Sequence, residues 1–135
     1  MKKYFTLFLL AIAIVSCSND DSSVDVPTST RIIGNWNWIS SVGGVHNLTL
    51  TPNSTGYKQR LEFTVDTVKY YFNDELMSES PYSIEIQEST IHTGTHEMLI
   101  TMYEARNIMQ FNNENLILIA DCNDCLTNEY VREQN

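Results

Sequence analysis

Tyr57-Lys58-Gln59-Arg60-Leu61-Glu62-Phe63-Thr64 is the stretch that decides the fold class. Tyr57, Gln59, Leu61 and Phe63 fall on one side and Lys58, Arg60, Glu62 and Thr64 on the other, the period of two that belongs to a strand with one dry face. The pattern recurs in both directions. Downstream, Val68, Tyr70 and Phe72 align after the turn Val65-Asp66-Thr67. Tyr82, Ile84 and Ile86 align within a run over residues 76–87, where Pro81 points to a bulge or an edge. Residues 98–103, 107–111, 116–120 and 128–133 read as further strands between short polar turns. Upstream, residues 34–42 put Trp36, Trp38 and Ser40 on one face and Asn37, Ile39 and Ser41 on the other. Leu48 and Leu50 form a short extension before the loop Pro52-Asn53-Ser54-Thr55-Gly56. No helical periodicity runs longer than two turns, so the body is expected to be all-β. Eight strands in an up-and-down meander lose both exposed edges by closing into a small antiparallel β-barrel. The unbroken apolar run Leu116-Ile117-Leu118-Ile119 predicts a strand covered on both sides, with residues 30–33 as its outer cover.

At 135 residues the chain has room for one such domain. Its first residues follow a different logic. Lys2 and Lys3 form a basic start, and residues 4–15 are apolar except for Thr6, the layout of a signal peptide over residues 1–16. A membrane-spanning helix is the competing reading, but it needs about 20 apolar residues, and this run stops at Ser16-Cys17.

Ile14-Val15-Ser16-Cys17 resembles the bacterial lipobox, which implies that Cys17 is diacylated and becomes the new amino terminus; an ordinary secretory leader is the alternative. Two or three acyl chains, palmitate among them, make membrane attachment effectively permanent. Residues 17–30 would then be the lipidated cysteine and an acidic, disordered tether, too poor in apolar content to offset ordering. Ser18-Asn19-Asp20-Asp21 resembles the acidic export signal of surface-exposed lipoproteins of Bacteroidetes, which implies an outer-membrane address at the cell surface; a plain solvated linker is the bland reading. Cleavage leaves six basic and 17 acidic residues, a net −11, a surface that repels nucleic acid and anionic headgroups.

Gly34-Asn35-Trp36 resembles the Gly-x-Trp signature of lipocalins, and the body, residues 31–135, resembles the small lipocalin-like lipoproteins of Bacteroidetes from about Ile32 to Arg132. Glu62-Phe63-Thr64, Val68-Lys69-Tyr70-Tyr71, Ser78-Glu79-Ser80-Pro81-Tyr82-Ser83-Ile84, Asp121-Cys122-Asn123-Asp124-Cys125 and Glu129-Tyr130-Val131-Arg132 extend the match. The resemblance implies that Gly34 and Trp36 close one end of the barrel and that Arg132, from the last strand, lies across the indole. A solvated Arg132 beside Glu129 or Glu133 is the alternative.

With Cys17 acylated, Cys122 and Cys125 remain, an even count in an exported domain, and a disulfide is the default. Free thiols, or a metal or redox role, are the alternatives; nothing after Cys125 reads as the helix whose start would activate a thiol. His92-Thr93-Gly94-Thr95-His96-Glu97 has ligand chemistry, but Gly94 and the threonines favour a solvated turn, and no metal or other cofactor is expected. Asn47-Leu48-Thr49 and Asn53-Ser54-Thr55 match a eukaryotic glycosylation sequon that carries little weight behind a lipobox. Asp66-Thr67-Val68 resembles a Bacteroidetes O-glycosylation motif in an accessible turn.

No nucleophile triad, phosphate loop or metalloprotease helix is present, and the chain is not expected to be an enzyme. The leading expectation is a binding module for a small apolar ligand, with Trp38, Tyr70, Phe72, Tyr82 and Met98 as its lining. The alternative is a surface-displayed interaction domain with a filled barrel, whose loops at residues 41–56 or 92–96 meet a basic protein partner.

Overall fold

The computed structural model describes residues 26–102 and 105–134. The leader, the lipobox and Cys17 lie outside the described residues. Within them the chain forms α1 (Thr28–Arg31), β1 (Gly34–Gly43), β2 (Leu48–Leu50), α2 (Pro52–Thr55), β3 (Gln59–Phe63), β4 (Thr67–Phe72), β5 (Glu75–Glu88), β6 (Thr95–Thr101), β7 (Arg106–Asn112), β8 (Asn115–Ala120) and β9 (Leu126–Arg132). From β3 to β9 each strand pairs antiparallel with the next, and β1 pairs with both β3 and β9. Eight strands thus close an up-and-down antiparallel barrel. The ninth, β2, only extends the far end of β1, at Ser41 to Gly43.

Closure is written into the turns. Asn73, Asp74, Asn113 and Asp124 adopt positive φ, the conformation that a short polar side chain tolerates and a branched one does not. Pro81, which has no N–H, pairs with Thr67 at the very start of β4. From Tyr82 onward β5 pairs with β6 instead, so the proline sits where the strand changes partner. The bulge of this hairpin falls earlier, between the Tyr70 and Tyr71 pairings.

Trp36, Trp38, Leu61, Phe63, Val68, Leu99, Met109, Leu116, Leu118 and Tyr130 point inward and form one buried cluster. A second bulge lies in β1 between Trp38 and Ser40. It shifts the alternation by one residue, so Ser41, expected on the outer face, is buried with the tryptophans.

Three expectations change here. Residues 28–31 form α1 instead of the end of a tether, so the ordered body starts before residue 31. Ile32 is fully buried in the inner cluster; residues 30–33 therefore close the barrel's end and do not cover Ile117 and Ile119, which face outward. Met98 pairs with Ile108, and Ile108 with Ile119, in an outward row, because Leu99 takes the inward position. Met98 and Ile108 are nonetheless buried. On this side the β5–β6 turn is tied down: Ser89 Oγ and Thr90 N donate to Asp121 at 2.6 and 2.9 Å, and Arg106 donates to Glu88 O at 2.6 Å. Arg106 also pairs with the buried Asp121 carboxylate at 3.2 Å.

The disulfide Cys122–Cys125 is formed in the β8–β9 turn. Gly43, at φ +124°, lies against it; a Cβ there would stand 2.7 Å from Cys125 O.

Candidate functional site

The two ends of the barrel differ in what stops them. At the α1 end, Trp36 Nε1 donates to Ile32 O at 2.6 Å and the Arg132 guanidinium lies 4.2 Å over the indole. Arg132 also donates to Ile33 O at 2.7 Å and to Arg31 O. Arg31 covers the Phe111 ring at 4.2 Å and donates to Asn113 O. Gly34 has φ +132°, and a Cβ would stand 2.6 Å from Arg132 Nη1, so only glycine lets the guanidinium cross. Each such cation–π contact adds about 0.5–2 kcal/mol. This end is a sealed floor, built from Gly34, Trp36 and Arg132 with Arg31 and Phe111 beside them.

Toward the other end, Trp38 stacks on Tyr57 at 5.5 Å and Tyr57 meets Phe72 at 4.9 Å. Between floor and stack lies a cavity of about 240 Å³. Leu61, Phe63, Val68, Leu99 and Leu118 form its apolar wall, with the rings of Tyr70 and Tyr130. Set among them are Ser78 and Ser80 from β5, Thr101 from β6, Asn107 from β7 and Asn128 from β9. Asn128 Oδ1 accepts from Ser41 Oγ at 2.5 Å, and Ser41 Oγ accepts from Trp38 Nε1 at 2.8 Å. That chain fixes the amide and leaves its NH₂ for the cavity. Burial pushes both phenols, Tyr70 and Tyr130, above their ordinary range, with their neighbouring tyrosines adding to the shift, so each stays neutral.

Of the five expected lining residues, Tyr70 lines the cavity. Trp38 is buried behind it and acts through Ser41, and Phe72 belongs to the aromatic stack. Tyr82 sets its ring edge-on to Phe63 and donates to Thr64 O at 2.8 Å. Met98 points out of the barrel, as described above. The polar lining escaped the sequence reading, because Ser78, Ser80, Asn107 and Asn128 look like ordinary outward positions until the pairing partners are known.

A second, open cleft of about 510 Å³ lies between residues 26–29 and Ile84, Glu85, Ile86 and Glu97, where Thr28 Oγ1 donates to Glu97 at 2.9 Å. His92 and His96 stand with ring centres 6.3 Å apart, and among the described residues no three potential ligands gather for a metal ion. Thr67 is the first residue of β4 and not a turn residue; it is half-buried, its hydroxyl 2.7 Å from that of Thr64.

Comparison of the chain with protein-family models, with curated proteins and with solved structures finds no match in any of the three.

Proposed function

We propose that this chain is a lipocalin-like lipoprotein, held at the outer membrane through acyl chains on Cys17, whose barrel binds a small molecule in its interior cavity. The cavity's polar lining is the observation that carries the binding reading. A barrel filled for stability alone packs apolar side chains through its interior, whereas a ligand pocket sets a few accessible polar groups among apolar ones. Here the exposed Ser78 and the half-buried Ser80, Thr101 and Asn107 line the cavity with no side-chain partner among the described residues, so their polar groups are accessible to an incoming molecule. The volume lies just below the roughly 300–1,000 Å³ of common ligand pockets, and it exceeds the 150 Å³ that is enough for benzene.

Membrane attachment rests on the Lys2-Lys3 start, the apolar run and Cys17. Two experiments test the parts separately. Native mass spectrometry of the exported protein should show an adduct that is lost on organic extraction; bare polypeptide mass, two hydrogens light for the disulfide, would speak for the filled-barrel reading. Palmitate labelling should reach the wild-type protein and miss Cys17→Ser; label retained on the variant would remove the lipid anchor from the reading.

A second reading is favoured by the β1–β2 hairpin, where Val42, Val45 and Leu48 are exposed, Val45 by 76 %. Apolar residues on an exposed tip suit a protein partner, and the net negative charge suits a basic one. Such association would weaken with salt and with Val45→Ser.

A further inference from the structure

The chemistry of the cavity wall says more than that something binds. Among its 12 lining residues there is no Lys, Arg, His, Asp or Glu. The only titratable groups are Tyr70 and Tyr130, and burial holds both in their neutral form. An anion placed inside would give up part of its hydration and find no countercharge among the lining residues, which costs free energy. A cation would meet hydroxyl and amide oxygens, but no carboxylate.

The polar groups, by contrast, are several and alternate with apolar ones: Ser80 pairs with Val68, Ser78 with Tyr70, Asn107 with Leu99 and Asn128 with Leu118. Ser78, Ser80 and Thr101 carry hydroxyls that both donate and accept, Asn107 offers a whole side-chain amide, and Asn128 offers its NH₂ because its oxygen is held by Ser41. Leu61, Phe63 and Val68 supply apolar surface beside them. A plain hydrocarbon would cover the apolar residues and leave the polar groups beside them without partners. A molecule that combines apolar surface with hydrogen-bonding groups satisfies both.

We infer that the barrel selects a compact, uncharged, amphipathic ligand, a single ring or short branched body bearing amide or hydroxyl groups, and rejects carboxylates such as fatty acids. The inference rests on the binding reading above and narrows it to a chemical class. Asn107, Ser80 and the Trp38-Ser41-Asn128 chain are the residues that impose the choice.

Benzamide and benzoate form the matched pair that tests it, being close in size and shape and differing in charge at pH 7; toluene serves as the apolar control. The barrel of residues 26–135 contains the whole buried cluster and suffices for the measurement. Ligand-observed NMR titration should show benzamide binding at least about a hundredfold more tightly than benzoate, which corresponds to about 2.7 kcal/mol. Asn107→Leu should weaken benzamide about tenfold while leaving toluene unchanged or tighter, and Ser80→Ala should act in the same direction with a smaller effect. A thermal melt of each variant confirms that it is folded.

Benzoate binding as tightly as benzamide would leave the binding module standing and overturn the selection. Benzamide binding undiminished in both folded variants would overturn the role of the polar lining. If none of the three probes binds, the binding reading itself falls, and this inference with it.

Discussion

The floor of the barrel and its middle treat polar groups in opposite ways. At the floor the strong donors are spoken for: Trp36 Nε1 on Ile32 O, Arg132 on two carbonyls, Arg31 on Asn113 O. In the middle, Ser78, Ser80, Thr101 and Asn107 face a cavity. Polar groups paired within the protein fix one geometry; accessible ones without a side-chain partner are available to a ligand. The lesson is that stability and recognition can share one barrel by being stacked along its axis.

The largest effect should come from breaking the floor. Trp36→Ala removes a buried indole, its bond to Ile32 and the platform under Arg132, and should cost about 3–5 kcal/mol in urea unfolding. That is a large part of the total for a domain of this size. A loss under 1 kcal/mol would mean that the floor is not the stabilising end.

The tie on the outer face comes next. Burial alone would raise the pKa of Asp121. The bonds from Ser89 and Thr90, together with the Arg106 guanidinium, outweigh it and hold the carboxyl below its ordinary 3.8. Its folded value lies below its unfolded one, so its contribution is complete above about pH 4 and is lost as pH falls through the depressed value. Asp121→Ala should cost about 2 kcal/mol at pH 7. The gap to wild type should then narrow in acid; a gap constant down to pH 2 would contradict the shift.

Opening the disulfide with Cys122→Ser and Cys125→Ser together should cost about 2 kcal/mol or less, because so short a loop loses little chain entropy when closed. Chemical denaturation of the double variant measures it. Smallest of all, Asn107→Leu should change stability by less than about 1 kcal/mol, of either sign, although it alters binding. A loss as large as that of Trp36→Ala would erase the difference between floor and middle.

Much of the barrel is legible in the chain. The period-two runs at Tyr57 to Phe63 and Val68 to Phe72 alternate polar and apolar residues because one face is dry, and alternation survives translation into sequence. Less legible was anything that depends on register. A bulge near Ile39 turned Ser41 inward, and partner identity turned Met98 outward. One residue of slip reverses every side chain beyond it, and no local pattern records the slip. For the same reason only Tyr70, of the five expected lining residues, was found at the cavity.

What the sequence by itself determined is the all-β body, its single-domain size, its strands and turns, and the glycine and tryptophan at its start. These follow from local sterics and from the separation of apolar from polar faces, both properties of near neighbours. Only the tertiary structure decided that β1 meets β9 and closes the barrel, that Arg132 reaches Trp36 across most of the chain, and that polar residues from β5, β6, β7 and β9 converge on one cavity. Those outcomes depend on contacts between residues far apart in the chain, which exist only once the strands have found their partners.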